Sequence, residues 1–299
     1  MEYFAYLSER VPQMKMERDF SFSRHTTIGC GGAAAAAVYP RSNEETAELL
    51  SLLRRERIPY CFLGAGANVL PPDGSYEGVV VRVSATRLQS DGERIKAGAG
   101  VTGGSLCRFA RRLNLSGFEP FTGIPMTLGG GVTMNAGVAE GHFSDVVERV
   151  VGIEDGKIRI FSREDCRFSE KRSVFQEGIA VTELFLKGTF LAREEIEKKT
   201  EYFRKKRDHL PRGRSMGCTF VNPQGLSAGK LIDECGLKGL RVGGAHVSEI
   251  HANFIINEGG TSDDVAALID IVKEKVAEQT GILLKEEIRR LGQGIQHGT

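Results

Sequence analysis

The sequence predicts an α+β fold, and three observations point to it. The middle third is rich in strands with one or two helices among them. Asp155-Gly156 separates two apolar runs, 147–153 and 157–161, a strong hairpin signal. The run Arg94 to Ala97 alternates polar and apolar, whereas a central strand of a doubly wound parallel sheet is apolar throughout.

Taken in order, residues 1–20 read as a short helical lead-in. Ser42-Asn43-Glu44-Glu45 is a capping box, and Leu49, Leu50, Leu52 and Leu53 give the helix behind it an apolar face. Pro59 closes that helix. Residues 60–63 and 79–83 then read as strands, so the first segment resembles a small βαβ unit. A helix over 105–113 buries Leu106, Phe109, Ala110 and Leu113. Residues 179–190 read as one long strand. The charged run 192–208 reads as a helix able to bridge two domains. Ser227 caps a helix through Cys235, residues 252–257 form a strand, and Thr261 to Asp264 cap a helix with Val265, Leu268, Ile269, Val272 and Val276 on one face. The last domain boundary falls near residue 195.

The chain has 299 residues, 40 basic and 39 acidic, for a net charge of +1. That near-balance argues against a nucleic-acid binder relying on phosphate neutralisation. No apolar stretch approaches the roughly 20 residues of a membrane span, and the charged N-terminal stretch shows no secretory signal. Cys30, Cys61, Cys107, Cys166, Cys218 and Cys235 contain no CxxC pair and no histidine at zinc-finger spacing, so no metal site is expected. Reduced thiols suit a cytoplasmic protein. The scattered histidines read as surface or structural residues.

Glycine carries most of the functional signal. Gly98, Gly100 and Gly103 match GxGxxG before a helix, but the alternating strand ahead of them argues against a dinucleotide fingerprint. Two readings stay open there: a plain strand-to-helix turn, or backbone N–H groups facing a phosphate. Residues 122–137, TGIPMTLGGGVTMNAG, are too apolar for a solvated hinge and place bare backbone against something flat or anionic. Gly64-Ala65-Gly66-Ala67-Asn68 follows a strand and reads equally as a tight turn or a nest for a pyrophosphate.

Together with TTIGCGGA (26–33), GCTFVNP (217–223), AGKLI (228–232) and GGAHVSEIHANF (243–254), these segments occur in the order of one family. The chain resembles the UDP-N-acetylenolpyruvoylglucosamine reductases over about residues 20 to 292. The resemblance implies a two-subdomain FAD-binding region of the vanillyl-alcohol-oxidase type (1–85 and 86–194), followed by a substrate domain (195–299). It implies noncovalent FAD, NADPH as reductant and a UDP-sugar as substrate, whose enolpyruvyl ether is reduced to give UDP-N-acetylmuramate for peptidoglycan. Cofactor contacts are expected at Gly64, Ala65, Gly66, Ala67, Asn68, Gly123, Ile124, Pro125, Gly129, Gly130, Asn135, Ala136 and Gly137.

Three catalytic groups are carried over by motif. Lys171-Arg172-Ser173-Val174-Phe175 takes the place of the family's Tyr-Arg-x-Ser, with Arg172 read as the arginine and Lys171 as replacing the tyrosine. Leu284 to Arg289 takes the place of a Pro-Glu-Val-Arg motif, with Glu287 as the acid and Glu286 one residue away. Cys218 stands where many members have a serine proton donor, and a thiol is the stronger acid. Val221 replaces a lysine. The basic run Arg204 to Arg207, with Arg212 and Arg214, reads either as a diphosphate contact or as a solvated helix face. The rivals are another flavin oxidase or dehydrogenase on the same scaffold, and a non-catalytic FAD- or UDP-sugar-binding homologue.

Overall fold

A computed structural model describes residues 2–292 of the chain. Its first unit is a four-stranded sheet in the order Lys15–Ser21, Ala33–Tyr39, Tyr76–Val81, Tyr60–Phe62. The first pair is antiparallel and the other two are parallel. The helix Asn43–Arg55 makes the crossover between parallel strands. Ser42 caps it by accepting a hydrogen bond from the Glu45 N–H. The lead-in differs from expectation: the helix Tyr3–Arg10 is followed by a strand, Lys15–Ser21. That strand lies at the sheet edge with most of its charged residues toward solvent, so it lacks the apolar alternation that marks a strand in sequence.

The second unit is a five-stranded antiparallel sheet ordered Lys157–Ser162, Val147–Glu154, Ala180–Lys187, Arg94–Gly98, Leu88–Asp91. Its core gathers Leu106 from the helix Gly103–Arg112, Leu128 and Val132 from the short helix Leu128–Thr133, and a stacked pair, Phe121 and Phe143. The long strand expected over 179–190 breaks at Gly188, whose N–H donates to the Glu93 carbonyl, and resumes as Thr189–Phe190 beside Leu115–Ser116. Leu49, Leu50 and Leu53 of the first unit share a core with Ile153 and Ala180 of the second. Gly156 packs so close to that helix that a Cβ would lie 2.2 Å from Ser51 Oγ. Its φ of 72° independently favours glycine.

The third unit follows the helix Arg193–Asp208. It packs the helices Ala228–Glu234 and Ser262–Thr280 against the strands Arg241–Val242, Ala245–Val247 and Ile255–Asn257. The strand expected from 252 starts only at Ile255, because the Phe254 N–H turns back to the His251 carbonyl. This core also takes Ile28, Cys30 and Leu70 from the first unit. The chain then returns: Arg289–Arg290 pairs in parallel with Val69–Leu70.

A second link between the first and third units is electrostatic. Thr261 Oγ1 accepts from the Asp264 N–H, and Asp73 accepts from the Ser262 and Asp263 N–H groups, each at 2.8 Å. The exposed amides at the helix start are thus capped by a carboxylate from a distant loop, which also suits the helix dipole. Asp73→Ala should cost about 1–2 kcal/mol, read as a lower urea midpoint at unchanged slope. An unchanged midpoint would show that water replaces the carboxylate without loss.

Candidate active site

A cavity of about 720 Å³ opens where the three units meet. One wall is the Gly64–Asn68 loop, which leaves the strand Tyr60–Phe62. Among the described residues, the N–H groups of Gly64 to Asn68 donate to no protein acceptor. A Cβ at Gly64 would lie 2.5 Å from Thr127 Oγ1, and one at Gly66 would lie 2.4 Å from the His25 carbonyl. An adjoining wall comes from residues within 123–138. There Thr127 caps the helix Leu128–Thr133, accepting from the Gly130 N–H. Free N–H donors suit a diphosphate, and the glycine-lined wall admits a flat ring, so these residues fit FAD.

Of the expected cofactor contacts, Gly64, Ala65, Gly66, Ala67, Asn68, Gly123, Ile124, Pro125, Gly129, Gly130, Ala136 and Gly137 line this cavity. Asn135 is not among the lining residues, although its neighbours Met134 and Ala136 are. Its amide Nδ2 donates to the Ser169 carbonyl and its Oδ1 accepts from the Ser144 N–H, so it is buried and braces the loop. The GxGxxG segment is also resolved. The Gly98, Gly100 and Gly103 N–H groups donate to Arg87, Ala85 and Met126 carbonyls, so the three glycines of the motif are engaged within the protein.

At one end of the cavity stand Lys171, Cys218 and Glu287. Lys171 Nζ is 3.2 Å from Glu287 Oε1. Lys171 lies in the left-handed region, φ 55°, on a turn closed by paired Ser169 and Arg172 backbones. Gln176 Nε2 donates to its carbonyl at 2.8 Å, and Ser173 Oγ donates to the Thr133 carbonyl at 2.7 Å. Arg172, on the outer side of this turn, is exposed and does not line the cavity.

Asn253 builds the segment that carries Cys218. Its carbonyl accepts from the Thr219 N–H, its Oδ1 from the Phe220 N–H, and its Nδ2 donates to the Phe220 carbonyl. Glu287 is held from both sides: its N–H donates to the Thr219 carbonyl, and its own carbonyl accepts from Asn68 Nδ2. Glu286 lies against Lys273 and Arg290, outside the cavity. Burial pushes the Glu287 carboxyl above the ordinary carboxylate range, against the pull of Lys171. Burial likewise pushes the Cys218 thiol up to about 11, with the Glu287 charge adding to it and Lys171 and Arg207 opposing.

Two cations of this cavity were not singled out from the sequence. They are Arg207, which burial holds below the ordinary guanidinium range, and Arg289. In the basic run, Arg204 and Lys205 pair with Glu201, and Lys206 with Glu140, leaving Arg207 as the member that lines the cavity. The signal for Arg289 was its place two residues after Glu287. Among the described residues, no group of three or more His, Cys, Asp or Glu is placed to hold a metal ion, and no helix is long and apolar enough to cross a membrane.

Comparison with known proteins agrees with this geometry. Residues 34–161 match the FAD binding domain model, and residues 208–291 match the C-terminal domain model of UDP-N-acetylenolpyruvoylglucosamine reductase. The reductase of Desulfosudis oleivorans is 40 % identical, over 93 % of this chain and 95 % of the relative. The chain belongs to the UDP-N-acetylenolpyruvoylglucosamine reductase family. The reductase of Moorella thermoacetica is 42 % identical over 91 % of this chain and 92 % of its own length. The crystal structure of the Thermus caldophilus reductase superimposes with a TM-score of 0.81 at 36 % identity, covering 93 % of this chain and 99 % of that one. The glucose dehydrogenase Phl p 4.0202, 13 % identical with a TM-score of 0.50, shares the fold alone. Members of the family are FAD-dependent oxidoreductases that take NADPH as reductant and act on a UDP-sugar, and this chain is one of them. A non-catalytic binding homologue is not favoured.

The sequence reading placed the cation at Arg172. Counting the Tyr-Arg-x-Ser spacing back from Ser173 puts Arg172 at x and Lys171 at the arginine position. The cavity places Lys171, not Arg172, beside Glu287.

Because burial favours the neutral thiol, Cys218 should keep its proton until the pH nears 11. Iodoacetamide at about pH 8 should therefore modify Cys218 far more slowly than a free thiol of pKa about 8.5. Peptide mapping with a time course checks this, and rapid labelling would contradict the raised proton affinity of the thiol.

Proposed function

We propose that this chain reduces the enolpyruvyl ether of UDP-N-acetylglucosamine enolpyruvate to UDP-N-acetylmuramate, with Lys171, Cys218 and Glu287 as the working groups. One observation carries the assignment of roles: an ammonium, a protonated thiol and a carboxyl converge at one end of a cavity whose other walls suit FAD. FAD, held by the Gly64–Asn68 loop and the 123–138 wall, would supply hydride chemistry with NADPH as the reductant.

The protein's task is to manage the negative charge that develops on the carbon beside the carboxylate and on the carboxylate itself. Lys171 faces that charge with an ammonium held in place by Glu287. Glu287, with its proton affinity raised, adds a hydrogen-bonding group at the same end. The Cys218 thiol gives its proton to the carbon, its S–H bond breaking as the C–H bond forms, and Lys171 and Arg207 stabilise the thiolate left behind. Arg207 and Arg289 add positive charge for the substrate's anionic groups. The reading includes noncovalent FAD, since His25 near the cofactor loop is engaged by Glu17 and Arg82. It also includes three units, 1–85, 86–194 and 195–299, supported by their separate sheets; residues 293–299 of the last lie outside the described residues. A cytoplasmic location is supported by the free thiols.

Lys171→Ala should keep normal flavin content and lose about 10²–10³ in turnover, while Arg172→Ala should stay within a few-fold of wild type. The reverse order would restore Arg172 to the site. In the same assay Glu287→Gln should lose more activity than Glu286→Gln.

Cys218→Ala should still let NADPH reduce the flavin, because that half-reaction needs no acid at this position. Reoxidation by the enolpyruvyl substrate should slow by about 10²–10⁴, and Cys218→Ser should recover much of it. Stopped-flow measurement of the two half-reactions decides. Equal reoxidation in wild type and Cys218→Ala would remove Cys218 from the mechanism.

A further inference from the structure

Arg82, His25, Glu17 and Tyr39 form a hydrogen-bonded chain next to the Gly64–Asn68 loop, and none of the four lines the cavity. Arg82 has two arms. Nη2 donates to the Gly64 carbonyl at 3.0 Å, and Nη1 meets His25 Nδ1 at 3.0 Å. The His25 Nε2 is 3.1 Å from Glu17 Oε1, and Glu17 Oε2 accepts from the Tyr39 hydroxyl.

We propose that Arg82 and His25 are positioning residues for the cofactor loop, and that His25 serves only as the neutral imidazole. The proposal rests on the reading of this loop as part of the FAD site.

A guanidinium has donors and no acceptor, so His25 Nδ1 must accept. Nε2 then carries the hydrogen and donates to Glu17. In a trans peptide the carbonyl and the following N–H point opposite ways. Pinning the Gly64 carbonyl to Arg82 therefore turns the Ala65 N–H to the other side of the peptide, and Ala65 lines the cavity. The Thr27 N–H fixes the Gly66 carbonyl in the same manner, at 3.0 Å.

His25 has little freedom to adapt. Its ring stacks on Phe20 with centroids 4.3 Å apart and planes 15° from parallel. The neutral ring accepts from Arg82 and donates to Glu17, so it links the cation to the carboxylate. The Tyr39 hydroxyl donates to the other Glu17 oxygen, and Lys15 sits over the Tyr39 ring.

The test is FAD binding to the full-length apoprotein, followed by quenching of flavin fluorescence. Arg82→Met should weaken FAD about ten-fold or more at about pH 8, and Arg82→Lys should recover part of that. Asn keeps an acceptor near the Nδ1 position, whereas Leu has none. His25→Asn should thus bind within a few-fold of wild type at about pH 8, and His25→Leu should weaken FAD about ten-fold. Equal affinity in His25→Leu and His25→Asn, or wild-type affinity in Arg82→Met, would overturn the proposal. Melting of each apoprotein shows whether it is folded, and if Arg82→Met is not, the comparison of the two His25 variants decides alone. Wild type that takes up no FAD would instead overturn the cofactor assignment.

Discussion

The site depends on main-chain pairing between the end of the chain and its beginning. Residues 285–291 run as a thin strip between two parts of the molecule. On one side the Lys285 carbonyl accepts from the Val221 N–H and the Glu287 N–H donates to the Thr219 carbonyl. On the other, Asn68 grips Glu287 and Arg289, and Arg289–Arg290 pairs with Val69–Leu70. Glu287, Cys218 and the cofactor loop therefore keep register through backbone hydrogen bonds, which few side-chain substitutions disturb.

The strip also sets Glu287 in a half-buried place, where burial raises its proton affinity even with an ammonium 3.2 Å away. Burial likewise pushes the Cys218 thiol up. Burial disfavours charge on both groups, and Cys218 thereby keeps the proton that the chemistry consumes.

Most elements were legible in the sequence because they carry local signals. Ser42, Ser227 and Thr261 cap helices as their side chains suggest, and Asp155-Gly156 turns the hairpin with both residues at positive φ. What was not legible depends on tertiary partners. The strand Lys15–Ser21 exists because Ala33–Tyr39 lies beside it. Asn135 keeps company with glycines, and its side-chain amide engages Ser169 and Ser144. Arg172 and Lys171 are neighbouring cations, and only the left-handed turn at Lys171 decides which one enters the cavity. Arg207 is one of several adjacent basic residues, singled out by the carboxylates that occupy the others.

The sharing of Ile28, Cys30 and Leu70 with the core of the last unit has a consequence for synthesis. These residues leave the ribosome early, while the surface that covers them is translated last. Asn68 and Glu287 are separated by 219 positions, so the closing contacts span most of the chain. Until the C-terminal strip arrives, the nascent protein carries an uncovered apolar patch and an unpaired strand at Val69–Leu70, the kind of surface that chaperones hold and that invites aggregation. Completion of the active site and completion of the fold are then one event. A polypeptide truncated before residue 289 lacks both, and cellular quality control meets it as an unfinished protein rather than as an inactive enzyme.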